Sequence, residues 1–269
     1  MSAVAWNVRL YWELARVGFL RHAAYRGATV AGVFTNTVWG FMLSFVQVAI
    51  FATRPRLAGY DAADALTYVW VTQGMLMTVF VWGNWVEIAQ RVRTGDVASD
   101  FQRPVDFQCY WLAQDLGRAA YHALFRGIPP LLVGCLVFRL RFPASPPTWI
   151  WFAVSILLAV CVSFALRFLV NLSAFWLMDH RGLVSITAFA WPFLSGMYGF
   201  PLVYLPEPVY RVLAVLPFAS MGQAPLTVFL EKPAVAAAIA LQALWVVVLL
   251  AAGRLVLGRA ERRLVVQGG

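Results

Sequence analysis

Lysine is almost missing from this chain. Of 21 basic residues in 269, only Lys232 is a lysine, and it stands between Glu231 and Pro233. A phosphate-binding P-loop needs its lysine straight after a glycine-rich turn, so the chain binds no ATP through a Walker motif. Cysteine is equally scarce. Cys109, Cys135 and Cys161 stand alone without C-x-x-C spacing, which argues against disulfides and zinc, and Cys135 and Cys161 fall in apolar runs where small core residues are expected. The three histidines, His22, His122 and His180, lie too far apart in sequence to suggest a metal site. G-x-S-x-G and H-E-x-x-H are absent. No residue set carries a reaction, so the expectation is a non-catalytic chain with no catalytic, cofactor-binding or metal-binding residues of its own.

Charge is scarce too, at 12% of residues, while 62% are hydrophobic, mean hydropathy is +0.73, and there are 12 tryptophans and 20 phenylalanines. A soluble core could not hide that much apolar surface. The chain reads as an integral membrane protein. Its net charge of +9 comes from arginines scattered at the ends of apolar runs, the pattern of topology signals and not of a nucleic-acid surface.

Six apolar segments are each long enough to cross about 30 Å of hydrocarbon at about 1.5 Å per helical residue. They lie near residues 28–52, 65–85, 116–138, 149–168, 183–204 and 234–257. The runs lack period-two alternation, which excludes a barrel and predicts an all-α bundle. Before them, within residues 1–27, Arg9, Glu13 and Arg16 line one helical face while Trp6, Leu10, Leu14 and Val17 line another. This predicts an amphipathic helix in the interface plane.

Orientation follows from the basic residues in the connections. Arg9, Arg16, Arg21, Arg26, Arg91, Arg93, Arg103, Arg118, Arg126, Arg167, Arg181, Arg254, Arg259, Arg262 and Arg263 fall on one side; Arg54, Arg56, Arg139, Arg141, Arg211 and Lys232 fall on the other. Fifteen against six places both termini, the tail 258–269 and the loop between spans two and three in the cytoplasm. Arg126 and Arg167 fall inside apolar segments, where snorkelling or pairing with an acid of that loop is expected.

The longest polar interruption runs over residues 84–118 and carries Glu87, Asp96, Asp100, Asp106 and Asp115 among arginines. It reads as a cytoplasmic docking loop (about 86–115) whose carboxylates are solvated. Glu87 and Arg91 at i, i+4 favour helix there. Near the other end, Pro192, Ser195, Gly196, Gly199 and Pro201 predict a fifth helix that kinks or ends early. Residues 204–229, split by Pro206, Pro208, Pro217 and Pro225, are too short between breaks to span and predict re-entrant helices on the outer side.

Several stretches carry a family likeness: G-D-V-A-S-D-F-Q-R-P-V-D (95–106), D-L-G-R (115–118), R-G-I-P (126–129), S-F-A-L-R-F-L-V (163–170), L-P-F (216–218) and P-L-T-V-F-L (225–230). In this order the chain resembles the permeases of type-2 ABC transporters, the six-span bacterial subfamily known as ABC-2 family transporter protein. The resemblance implies an exporter in the bacterial cytoplasmic membrane, in which two permease subunits, identical or homologous, pair with two separate ATPase subunits that bind ATP and magnesium. It implies that 87–106 is a coupling helix seated on the ATPase, with Glu87, Arg91, Arg93, Asp96, Asp100, Arg103 and Asp106 as the interface charges. It further implies a substrate path between the two permeases. Trp39, Phe41, Phe45, Trp70, Met75, Met77, Trp82, Phe189, Trp191 and Tyr198 would suit a hydrophobic or amphipathic molecule there. Two other readings stand beside it: an ion-driven secondary transporter, which would want an intramembrane acid where the nearest is Asp179 at a span end, and a non-transporting membrane scaffold.

Overall fold

The computed structural model describes residues 8–80, 85–177 and 181–267; Trp6, Trp82, Asp179 and His180, singled out above, lie outside them. The described chain is helical with no strand among the described residues. Its helices are α1 (Val8–Ala23), α2 (Arg26–Thr53), α3 (Ala62–Met75), α4 (Glu87–Thr94), α5 (Val97–Phe101), α6 (Phe107–His122), α7 (Ile128–Val137), α8 (Pro146–Leu172), α9 (Arg181–Leu194), α10 (Glu207–Val215), α11 (Gln223–Phe229) and α12 (Val235–Gln267). Two π-helical turns interrupt otherwise continuous rods: Leu76–Phe80 extends α3, and Ala123–Gly127 joins α6 to α7.

Among the described residues four rods are long and apolar enough to cross a bilayer: Arg26–Thr53, Phe107–Val137, Pro146–Phe175 and Val235–Arg263. The described helices of the second and fifth expected spans, Ala62–Met75 with its π turn Leu76–Phe80 and Arg181–Leu194, are shorter. α9 carries Pro192 and ends at Leu194, where the chain turns through Gly196 at φ +77°, so the predicted early end is what the proline and glycines produce. The rod of the third expected span starts at Phe107, nine residues before the apolar run at 116, because Asp106 caps it by accepting from the Cys109 amide at 2.7 Å.

α3 lies at the centre of one half, with every residue from Ala65 to Gln73 buried. Small residues let its neighbours close on it. A Cβ on Gly40 of α2 or Gly134 of α7 would meet the Trp70 ring at 2.8 and 2.4 Å, and Gly74 and Gly127 lie back to back. This is the close approach by which helices associate where lipid offers no hydrophobic drive. The other half gathers on α8, which packs against α12, α11, α4 and α6.

Side chains stitch the irregular segments inside this frame. Gln223 accepts from the Leu202 amide, Tyr68 shares its one hydroxyl proton between Gln223 Oε1 and Gly196 O, and Gln47 donates to Gly199 O at 3.0 Å. Gln242 of α12 donates to Ser155 O and Ser220 O, tying α8 to the turn between α10 and α11. At that end of the rods Asp61 and Asp64 form a capping box for α3, and Asp64 also binds Arg141 and Lys232.

α1 does more than lie at a surface. It packs along α6 with backbone against backbone: a Cβ on Gly117 would stand 1.8 Å from Ala15 O, and one on Gly18 would stand 2.3 Å from Gln114 O. Gly117→Ala should therefore push α1 off α6 at a cost of about 1–3 kcal/mol, read as a lower midpoint of thermal unfolding in detergent. Gly27→Ala, whose Cβ meets nothing within 4 Å, should be neutral or gain up to ~1 kcal/mol from helix propensity. Equal midpoints for the two variants would show that α1 does not hold this position.

Candidate functional site

The polar interruption folds into two short helices at one end of the rods. α4 is amphipathic. Ile88 on it and Val97 on α5 insert between Phe107, Phe164, Phe168, Leu172 and Leu257, so α6, α8 and α12 share one apolar cluster with the loop. Gly95, at φ +83°, takes the left-handed turn between them.

The charges fold inward more than the sequence suggests. Asp100 is buried, 6% exposed. Arg91 binds both its carboxylate oxygens, and Arg103 adds a contact at 3.2 Å. The hydrogen bond to Asp100 holds the Arg91 guanidinium above its ordinary value. Glu87 does not pair with Arg91 one turn on; it binds Arg21 of α1 at 2.9 Å. Asp96 accepts from the Thr94 hydroxyl at 2.7 Å, and Asp106, besides capping α6, binds Arg254 of α12. Arg93 is exposed and has no ion-pair partner among the described residues. The outward face is therefore Gln90, Arg93, Thr94, Asp96, Ala98 and Ser99, all exposed.

One residue of a membrane rod holds this loop. α4 has no capping side chain of its own at Val86. Its third amide, Ala89 N, donates instead to Asn171 Oδ1 of α8 at 2.9 Å, and Asn171 Nδ2 donates to Trp85 O at 2.8 Å. A cap usually comes from the residue before the helix. Here it comes from the last turn of another helix, so the start of α4 is tied to α8.

Below α4 lies a buried ionic cluster. Asp115 of α6 accepts from Arg118 Nε at 2.7 Å and from Arg167 Nη2 at 2.7 Å, and all three side chains are at most 8% exposed. Arg118 also donates to Met77 O and Thr78 O, carbonyls of the π turn Leu76–Phe80. Arg167 is thus paired with an acid of the interruption. Asp100 and Asp115 correct the expectation that the carboxylates of this stretch are solvated. The i, i+3 spacing in D-L-G-R was the available signal for the Asp115–Arg118 pair; nothing local pointed to Arg167. Arg126, in contrast, has no acid beside it among the described residues. A cavity of about 310 Å³, lined by Arg21, His22, Glu87, Trp111, Asp115 and Arg167 among others, separates this cluster from the α1–α4 contact.

The aromatic set divides. Trp39, Met77 and Tyr198 meet in a groove of about 280 Å³ with Asn36, Leu43, Gln73 and Met197. Phe45 and Phe189 are exposed on the outer faces of α2 and α9, at 64% and 69%, and Phe41 stacks edge-on against Trp70. Trp70, Met75 and Trp191 are buried in the core. Cys135, expected in a core, is exposed.

Two tests follow. Asp115→Asn leaves two buried guanidiniums sharing a neutral partner, and should destabilise the protein by about 3–5 kcal/mol; a thermal midpoint within error of wild type would place the cluster in water. Burial pushes the Asp106 carboxyl up, but Arg254 and the Cys109 amide outweigh it and hold it below the ordinary value. Because the folded value is lowered, its stabilisation is complete above about pH 4 and is lost as pH falls through that lowered value. Hydrogen-exchange protection of the Cys109 and Tyr110 amides should therefore fall on acidification in the wild type and stay level in Asp106→Asn. Parallel loss in both would remove Asp106 from the account.

No curated protein matches the chain. Residues 37–268 match the family model described as ABC-2 family transporter protein. With its apolar rods, the polar loop caught between them and a match over most of its length, this chain belongs to the ABC-2 transporter family and is a permease of a type-2 ABC transporter.

Proposed function

We propose that the chain is one half of the membrane part of an ATP-driven exporter, and that α4 and α5 are its seat on a separate ATPase. In this reading α3 and α9 complete six spans and both termini face the cytoplasm of a bacterium. The α10–α11 hairpin re-enters from the outer side, and a second permease, identical or homologous, faces this one. Two ATPase subunits hold the ATP and magnesium.

The observation that carries the reading is the Asn171 clasp. A loop that merely connected spans would need no hydrogen bonds from a neighbouring rod to both sides of its first turn. A loop that must pass a push into the bundle needs a stiff joint. Arg91, Asp100 and Asp106 then act within the joint, while Arg93 and Asp96 face outward. The groove at Trp39, Met77 and Tyr198 supports a hydrophobic or amphipathic cargo, since its walls are mostly apolar with a few polar groups, among them Thr35, Asn36 and Gln73. An ion-driven transporter gains little from Asp115. A carboxylate held by two arginines serves the packing of three helices and is poorly placed to exchange a proton or cation with water.

The test separates face from joint. Arg93→Glu with Asp96→Arg should leave membrane insertion and thermal stability unchanged while lowering recovery of the ATPase in co-purification about tenfold, the effect of roughly 1.4 kcal/mol. Full recovery of ATPase and full ATP-driven transport with these reversals would sink the docking assignment.

A further inference from the structure

Arg126 stands out once the other intramembrane arginines are accounted for. Arg118 and Arg167 converge on Asp115. Arg126 Nε is buried with no acceptor, and the side chain makes no hydrogen bond or ion pair among the described residues. A guanidinium keeps its proton under all ordinary conditions. It therefore calls for an anion, and none stands beside it among the described residues.

The surroundings say which anion. Arg126 sits in the π turn Ala123–Gly127. Its guanidinium lies against Gly32 of α2, where any Cβ would come within 2.0 Å of Nη2. Glycine at 32 is thus what admits the charged head between the rods. On the same stretch Leu124, Phe125 and Ile128 are 45–50% exposed, and Val30 and Phe34 on α2 are 68% and 70% exposed. These apolar faces belong to two rods long enough to span a bilayer, so lipid chains cover them. Gly32 is six residues from Arg26, the first residue of α2, a rise of about 9 Å. That depth is within reach of the headgroup region for a side chain leaning toward the start of its own helix, as helical side chains do. Tyr25 and Arg26, both exposed, mark the elbow beneath it.

We propose that Arg126 binds the phosphate of a phospholipid held in the groove between α2 and the α6–α7 rod, in the leaflet that adjoins α1. The lipid's chains cover Val30, Phe34 and Phe125, and its phosphate supplies the missing counter-charge. The site is independent of the exporter reading; it requires only that these rods span the membrane.

The test is native mass spectrometry of the full-length protein released from detergent, titrated with phosphatidylglycerol and, separately, with diacylglycerol of the same chains. Wild type should retain phosphatidylglycerol about tenfold better than diacylglycerol, as expected for a charge-assisted hydrogen bond. Arg126→Gln should lose that preference, and Arg126→Lys should keep part of it. An unchanged preference in Arg126→Gln would overturn the proposal. So would displacement of the lipid by millimolar inorganic phosphate, which would mark a site for free anions. Should Arg126→Gln fail to fold, the wild type decides alone. A phosphatidylglycerol with a photoreactive headgroup should label peptides containing residues 124–128 or 25–34. Label spread evenly over the apolar belt, or a crosslink from Arg126 to an acid of a second protein chain, would refute the assignment.

Discussion

Inside hydrocarbon every backbone polar group needs a partner from the protein, because water is absent and each orphan costs several kcal/mol. The same need for partners is met at three places where the described chain departs from straight helix. At the π turn after α3, the Met77 and Thr78 carbonyls are taken by Arg118. At the entry to α4, the Trp85 carbonyl and the Ala89 amide are taken by Asn171. After α9, the turn at Gly196 and Gly199 is taken by Tyr68 and Gln47. Each of these repairs comes from a different helix, so each ties together two helices that would otherwise only touch.

The same rule gives the loop its mechanical character. α4 and α5 are too short to be stable alone, since a helix of one or two turns does not hold itself in water. They persist because Ile88 and Val97 are buried, Arg91 and Arg103 grip Asp100, and Asn171 caps α4 from α8. Arg21 and Arg254 extend the grip from α1 and α12 through Glu87 and Asp106. Four elements of the bundle thus converge on a small exposed face. Of the four, α8 reaches the backbone of α4 directly, through the two hydrogen bonds of Asn171.

How much of this could be read from the sequence depends on range. The fold class, the rods with long apolar runs and the break after Pro192 follow from local composition and were legible. The helical character of 87–94 was legible from spacing, but its pairings were not: Glu87 finds Arg21 across 66 residues, and Arg167 finds Asp115 across 52. Nothing in a linear pattern separates a solvated acid from one buried against a distant arginine. Asn171 was invisible for the same reason, a single polar residue at the end of an apolar helix whose partner is backbone. The aromatic residues suffered the opposite ambiguity. Trp39 and Trp70 look alike in sequence, and only packing shows one lining a groove and the other sealed between glycines.

The central claim is that α4–α5 and α8 move as one body when the partner ATPase works. Spin labels at Ser99 on α5 and Leu157 on the exposed side of α8 allow the distance between them to be measured by pulsed electron resonance in the assembled transporter, with and without ATP. The account predicts one narrow distribution that stays in place in both states and broadens in Asn171→Ala. A distribution that shifts with ATP in the wild type would show that the loop moves against its rod, and would contradict the account.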